Sequence, residues 1–158
     1  LKGEKTLKEA GFNRLRFLKC SDHTEWDTAK HFRQKYFFDN VPISDPYTWT
    51  FNHQDHVHFV LYQGANIVGY AHILLWPENR AALRIIVIDE TKRNLGFGGK
   101  FLTLIEKWLK SQNYKSIHIE SSPAAFQFYK KHEYINMPFN DPEEHESHPQ
   151  DIPLGKIL

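Results

Sequence analysis

The chain has 158 residues and one cysteine, Cys20, so no disulfide can close within it. A lone thiol suits a reducing compartment, and the sequence reads as cytoplasmic. No apolar run reaches the length of a membrane span, and the first residues lack the apolar core of a secretion signal. Charge of one sign is also missing: 20 basic residues against 19 acidic leave +1, which gives no electrostatic case for nucleic acid. There is no internal repeat and no low-complexity tract. What remains is a globular composition, 41% hydrophobic and 25% charged, long enough to enclose one sizeable core. Residues 1–158 read as a single domain. The chain starts with Leu1 and not Met, so residues 1–12 read as a linker or the remnant of a longer protein.

Periodicity orders the elements. Lys2 to Ala10 is a polar helical pattern ended by Gly11. Asn13 to Cys20 alternates, with Leu15 and Phe17 opposite Arg14 and Arg16, as a half-buried strand does. Ser21-Asp22 can cap a helix from Thr24 to Phe38, on which Trp26, Ala29, Phe32 or Arg33, and Tyr36 or Phe37 fall near helical spacing. Asp39 to Pro46 is a loop. Strands over Val57–Tyr62 and Ile67–Trp76 flank a hairpin turn at Gln63–Asn66. Ala81–Asp89 is the next strand, followed by a glycine-rich segment and a helix over Phe101–Gln112. Then come a strand at Lys115–Ser121, a helix at Pro123–His132, a short strand at Tyr134–Pro138, a polar loop and a last strand at Asp151–Leu158. A helix follows strand 81–89 and leads into strand 115–121, so the two should be parallel neighbours in a mixed α/β sheet packed by helices.

The glycine segment runs Arg93-Asn94-Leu95-Gly96-Phe97-Gly98-Gly99-Lys100, between a strand and a helix. Glycine lets backbone N–H groups face a ligand, and a helix start adds unpaired N–H groups and partial positive charge. The combination suits an anion such as phosphate. A Walker loop fails because Phe101 follows Lys100 and Asn94 replaces its first glycine; a dinucleotide fingerprint fails because Phe101 takes the place of its third. A plain strand–turn–helix connection is the bland alternative. Arg93-x-x-Gly96-x-Gly98 resembles in full the pyrophosphate loop of the GNAT acetyltransferase superfamily.

A second stretch, Ser122 to Tyr134, resembles the same family. Its pattern after the strand that follows the cofactor helix is Asn-x-x-Ala-x-x-x-Tyr-x-x-x-Gly-Phe/Tyr, and Ala125, Tyr129 and Tyr134 match it. Ser122 stands where Asn is usual and Glu133 where Gly is usual. The resemblance spans about residues 13–158, strongest from Leu83 to Tyr134.

The resemblance implies a GNAT fold in which two parallel strands splay, here 81–89 and 115–121, and acetyl-CoA as co-substrate. Its pantetheine arm would pair with the backbone of Ile86, Val87 and Ile88. Its pyrophosphate would sit on the N–H groups of Arg93, Asn94, Leu95, Gly96, Phe97, Gly98 and Gly99, Lys100 and Arg93 would add charge, and Ser122 would add a contact. An amine would attack the thioester directly, and Tyr129 would protonate the departing thiolate. The base is open among Glu120, His72 and a water chain, because Ala81 and Ala82 stand where some members carry a glutamate. Tyr47, Trp49, Phe51 and His53 are expected in the acceptor wall.

His53-x-x-His56-x-His58 with Asp55 invites a metal reading. No cysteine lies near and residues 52–55 read as a turn, so no metal is expected. The leading reading is an acetyl-CoA-dependent N-acetyltransferase acting on a small-molecule or protein amine, with no nucleic acid or membrane partner. A homodimer and a fused further domain remain open. The rivals are a non-catalytic CoA-binding or regulatory module of the same fold and a metal-binding protein.

Overall fold

The structure is a computed structural model that describes residues 14–158. The expected helix over 2–10 lies outside the described residues. The strands are β1 (Leu15–Lys19), β2 (His56–Gln63), β3 (Asn66–Trp76), β4 (Arg80–Ile88), β5 (Ser116–Ser121), β6 (Ile135–Asn136) and β7 (Ile152–Ile157). The α-helices are α1 (His23–Arg33), α2 (Phe97–Ser111) and α3 (Phe126–Lys131). The strands form one seven-stranded mixed sheet in the order β1-β2-β3-β4-β5-β7-β6, with helices on the sheet. β4 and β5 are parallel, as their helical connection requires. Among the described residues no helix is long and apolar enough to cross a membrane.

The described chain packs as two compact units: one holds residues up to His72 with Ile85–Leu104, the other Ile73–Arg84 with Ile105–Leu158. In the first, β1 lies antiparallel on β2, with Phe17 opposite Leu61 and its ring stacked on Phe59 at 4.3 Å. Helix α1 starts on a capping box: the Asp22 carboxylate accepts the Glu25 N–H at 2.8 Å, and Glu25 accepts the N–H groups of Asp22 and Ser21. Its inner face buries Ala29 and Phe32 with Cys20, Val60, Tyr70 and Val87. Full burial of a side chain such as Phe32 or Val60 is worth roughly 1.5–3 kcal/mol. Gly69 on β3 leaves the space that the Phe101 ring of α2 fills: a Cβ there would stand 3.1 Å from that ring and 2.9 Å from Ile88 Cδ1.

The expected helix over 24–38 is two pieces. α1 ends at Arg33, and Gln34–Phe38 forms a wider π-turn closed by the Asp39 N–H on the Gln34 carbonyl. The Gln34 side chain then holds the following loop, donating to Asp39 and the Ile43 carbonyl and accepting the Asp45 N–H.

In the second unit, β5 pairs antiparallel with β7 along its whole length, and β6 with β7 over two residues. The expected strand 134–138 shrinks to β6 for physical reasons. Tyr134 turns inward, its hydroxyl donating to Glu106 at 2.7 Å, and Pro138 has no N–H to offer a ladder. The expected helix 123–132 opens as a 3-10 turn over Pro123–Ala125 before α3. Glu133 has φ 71°, so the position where the family pattern carries glycine does need the left-handed backbone, and a glutamate adopts it.

Candidate active site

The first unit carries the glycine segment. β4 ends at Ile88, and the Asp89 side chain caps a 3-10 turn over Glu90–Lys92 by accepting the Thr91 N–H at 2.9 Å. Asn94 and Gly96 take positive φ, 61° and 86°, which swings the chain into α2. The helix begins at Phe97 and not at the expected Phe101. The Phe97 ring is buried and anchors the first turn, so Gly98 and Gly99 lie inside the helix. Each interior glycine costs a helix about 1 kcal/mol relative to alanine. Two of them in one turn weaken the helix and clear its surface for close approach to the backbone. The first-turn N–H groups have no partner within a helix, and this turn holds no acidic side chain. Such a helix start is a cradle of the kind that suits an anion.

Arg93 is placed differently from Lys100. Its Nε donates to the Ile88 carbonyl at 3.0 Å, and its guanidinium lies 4.9 Å from the centre of the Tyr36 ring. It fastens the end of β4 and rests its charge on the Tyr36 ring. Lys100 is half-buried in the helix's first turn, and its N–H makes the first intrahelical bond, to Gly96. Ile86 is half-buried, and Val87 and Ile88 are buried.

The expected acceptor residues also lie in the first unit, where they divide. Thr48–Asn52 is a 3-10 turn. Phe51 points under α1, 5.1 Å from Trp26 and 4.8 Å from His58 between ring centres. Trp49 is 58% exposed and meets His53 and His56 edge-on at 5.8 and 5.2 Å. Tyr47 is exposed near Phe38. A cavity of about 410 Å³ is lined by Trp26, Lys30, Thr48, Phe51 and Asn52.

Behind this turn is a buried polar network that the sequence reading missed. Arg33 is 1% exposed and grips Asp45 with two bonds, Nε at 2.5 Å and NH2 at 3.3 Å. Its NH1 reaches the Tyr70 hydroxyl at 3.1 Å and His72 Nδ1 at 3.0 Å. The Tyr70 hydroxyl lies 2.6 Å from His58 Nδ1, and His58 Nε2 meets the Thr50 carbonyl and hydroxyl. Burial, with the Arg33 charge, pushes the His58 pKa down to about 3. His72 Nε2 lies 2.8 Å from His56 Nδ1, so both ring nitrogens of His72 are engaged. One signal in the sequence points to the network: Arg33 follows Trp26 by seven residues and Ala29 by four, a cation on the apolar face of α1. Among the described residues no group of three or more side chains is arranged to hold a metal.

The second unit carries the other candidates. The ladder between β4 and β5 pairs Arg80–Ala82 with Ser116–His118 and stops there. Glu120, half-buried on β5, lines a cavity of about 260 Å³ with Arg84, Glu146, His148 and Asp151. Tyr129 is 7% exposed on α3, packed at 5.2 Å on Phe128 and 5.6 Å on Tyr134. Burial pushes its hydroxyl up to about 12, so it stays protonated at neutral pH, and among the described residues it makes no hydrogen bond. The Ser122 hydroxyl accepts the Ala125 N–H at 3.3 Å and so caps the turn ahead of α3.

Known structures share this architecture. An acetyltransferase of the GNAT family from Staphylococcus aureus superposes with a TM-score of 0.69 at 17% identity, over 91% of this chain and 99% of that one. The ribosomal-protein-S18-alanine N-acetyltransferase of Escherichia coli gives 0.68 at 16%, over 91% and 92%. GCN5 from Tetrahymena gives 0.73 at 11%, over 90% and 94%. At such identities the likeness concerns the fold. No curated protein matches the chain by sequence. The family model "Acetyltransferase (GNAT) family" matches residues 23–134, which include the glycine cradle and Tyr129, and the chain belongs to that family.

Proposed function

We propose that this chain transfers the acetyl group of acetyl-CoA to a primary amine by direct attack. The observation that carries this reading is the cradle at the start of α2: a positive-φ glycine, two glycines inside the first turn and no acidic side chain in it. It suits the pyrophosphate of CoA, with Lys100 and Arg93 supplying positive charge. The pantetheine amides would pair with the backbone of Ile86, Val87 and Ile88 as an added strand. The Ser122 hydroxyl would give a further contact to the co-substrate.

The chemistry has two proton needs. An alkyl amine is mostly charged at neutral pH and must lose a proton before its nitrogen can attack the thioester carbon. Glu120 is the base we favour, because it lines a cavity with Glu146 and Asp151, three carboxylates against the one Arg84 guanidinium, a balance that suits a cationic acceptor. The C–S bond breaks as the amide forms, and the thiolate takes a proton. Tyr129 is the donor, a largely buried side chain whose protonated hydroxyl has no other hydrogen bond among the described residues. Tyr47, Trp49 and His53 serve the acceptor, with Phe51 supporting their turn. The single buried cysteine suits work in the cytoplasm, which cell fractionation would check.

The test joins calorimetric titration with CoA to a thiol-release assay over a panel of amines. Micromolar CoA binding with amine-dependent thiol release is expected. CoA binding with no release from any amine would make the chain a non-catalytic CoA-binding module. Absence of CoA binding would overturn the reading.

A further inference from the structure

The Arg33 network has a direction that follows from donor chemistry alone. A guanidinium donates and never accepts. Its NH1 at 3.0 Å therefore makes His72 Nδ1 an acceptor, and a neutral His72 carries its proton on Nε2. That N–H points at His56 Nδ1, 2.8 Å away, so His56 Nδ1 accepts and His56 carries its own proton on Nε2. The second branch gives the same order from both ends. NH1 donates to Tyr70, whose hydroxyl donates to His58 Nδ1, while His58 Nε2 donates to the Thr50 carbonyl, which can only accept. Thr50 in turn holds Tyr47 through its hydroxyl, so this branch braces the turn that bears Trp49.

A proton cannot travel inward along this chain, because Arg33 has no lone pair to receive it. A second proton on His72 or His56 would set N–H against N–H at one of the two contacts. The pair is thus unsuited to act as a base.

We propose that Arg33 is a positioning residue that fixes the proton order of His72 and His56, so that the acceptor wall bears an uncharged N–H donor at His56 that selects amines with a neighbouring carbonyl or carboxylate oxygen. The inference rests on the acyltransferase reading for the word acceptor, and on the hydrogen bonds alone for the proton order. An alkylammonium offers donors only and cannot receive this N–H; an amide or carboxylate oxygen next to the amine can, by exchange with whatever partner the group holds beforehand. Trp49, exposed and 5.2 Å from His56, offers an aromatic face to the rest of such a molecule.

Nitrogen NMR of the imidazole rings in the labelled full chain reads the order directly, since protonated and lone-pair nitrogens have well-separated shifts. The expected result is Nε2–H on His56, His58 and His72. In the double variant Arg33→Met/Asp45→Leu, which removes both buried charges together, His72 and His56 should show mixed tautomers. Arg33→Lys should not restore the order, because one ammonium cannot span Asp45, Tyr70 and His72. Phenylalaninamide and 2-phenylethylamine, which differ by the carboxamide, are then titrated into the wild type. The first should shift His56 Nε2 at a concentration at least tenfold lower than the second. A proton on Nδ1 of His72 or His56, or an unchanged order in the double variant, overturns the positioning role. Equal responses to the two probes, or none to either, overturn the oxygen selectivity. Loss of the acyltransferase reading would show separately, as absence of CoA binding, and would leave the ring protons as measured.

Discussion

Two regions of the first unit for which we propose a function are made of different material. The proposed anion cradle is backbone: N–H groups at the start of α2, uncovered by Gly98 and Gly99. The network we propose for the acceptor side is side chain: Arg33, Asp45, Tyr70 and three histidines drawn from α1, a loop and two strands. A backbone site tolerates almost any neighbouring side chain but requires glycine at fixed spacing. A side-chain site has no fixed spacing but requires every polar atom to find its partner in the interior. The first should therefore lose function without losing stability when altered, and the second should lose both.

The largest expected effect tests the second half of that contrast. Asp45→Ala would leave the Arg33 guanidinium buried without its counter-charge and would also free the Tyr47 N–H that Asp45 accepts at 2.9 Å. Breaking one side of a buried pair costs roughly 3–5 kcal/mol. Urea unfolding should show a loss of that order, and the double variant Arg33→Met/Asp45→Leu should regain much of it. A loss below about 1 kcal/mol would place the pair among exposed ones, whose worth is that small.

Next is Tyr129→Phe, which keeps the ring against Phe128 and Tyr134 and removes only the hydroxyl. General-acid contributions run to roughly a hundredfold or more, so kcat should fall by that order with the KM for acetyl-CoA little changed. Unchanged turnover, where chemistry limits the rate, would make Tyr129 a packing residue.

Gly98→Asp tests the backbone half. An aspartate in the first turn of a helix is favourable to the helix by about 0.3–1 kcal/mol, through the helix dipole. The same carboxylate would repel a pyrophosphate. CoA affinity should fall at least tenfold, or about 1.4 kcal/mol, while Tm holds or rises. Parallel losses of Tm and affinity would deny the contrast.

The same contrast explains what could be read from the sequence. The glycine spacing and the strand before it marked the junction where β4 gives way to α2, because a backbone turn leaves its requirement in local sequence. The order of strands, the parallel pair and the turn at residues 63–66 were legible for the same reason: period and turn chemistry are local. The start of α2 was misplaced by four residues, since glycines read as loop although Phe97 holds their turn in the core. The network at Arg33 was not legible as a network. Its members stand up to 39 positions apart, and only folding brings Arg33 to His72. Arg33 could be noticed as a cation on an apolar stripe, but nothing local names Asp45 as its partner.

The smallest expected effect falls on Glu25, where backbone and side-chain bonding meet in one carboxylate. Its Oε1 accepts the N–H groups of Ser21 and Asp22, and its Oε2 accepts the Tyr62 hydroxyl at 2.7 Å. Burial by itself would raise its pKa, but these donors outweigh burial and hold the carboxyl below its ordinary value of 4.5. A carboxyl whose pKa is lower in the folded state stabilises the fold above its unfolded pKa, and that contribution is lost as pH falls through the folded one. Glu25→Gln keeps an acceptor for the capping box but loses the charge. The cost should be about 1 kcal/mol at pH 7, in the range of a weakened cap. The difference in Tm between wild type and variant should therefore be present at pH 7 and shrink as the pH is lowered below 4.5. A gap that stays constant down to pH 2.5 would assign the cost to shape and hydrogen-bond count, not to charge.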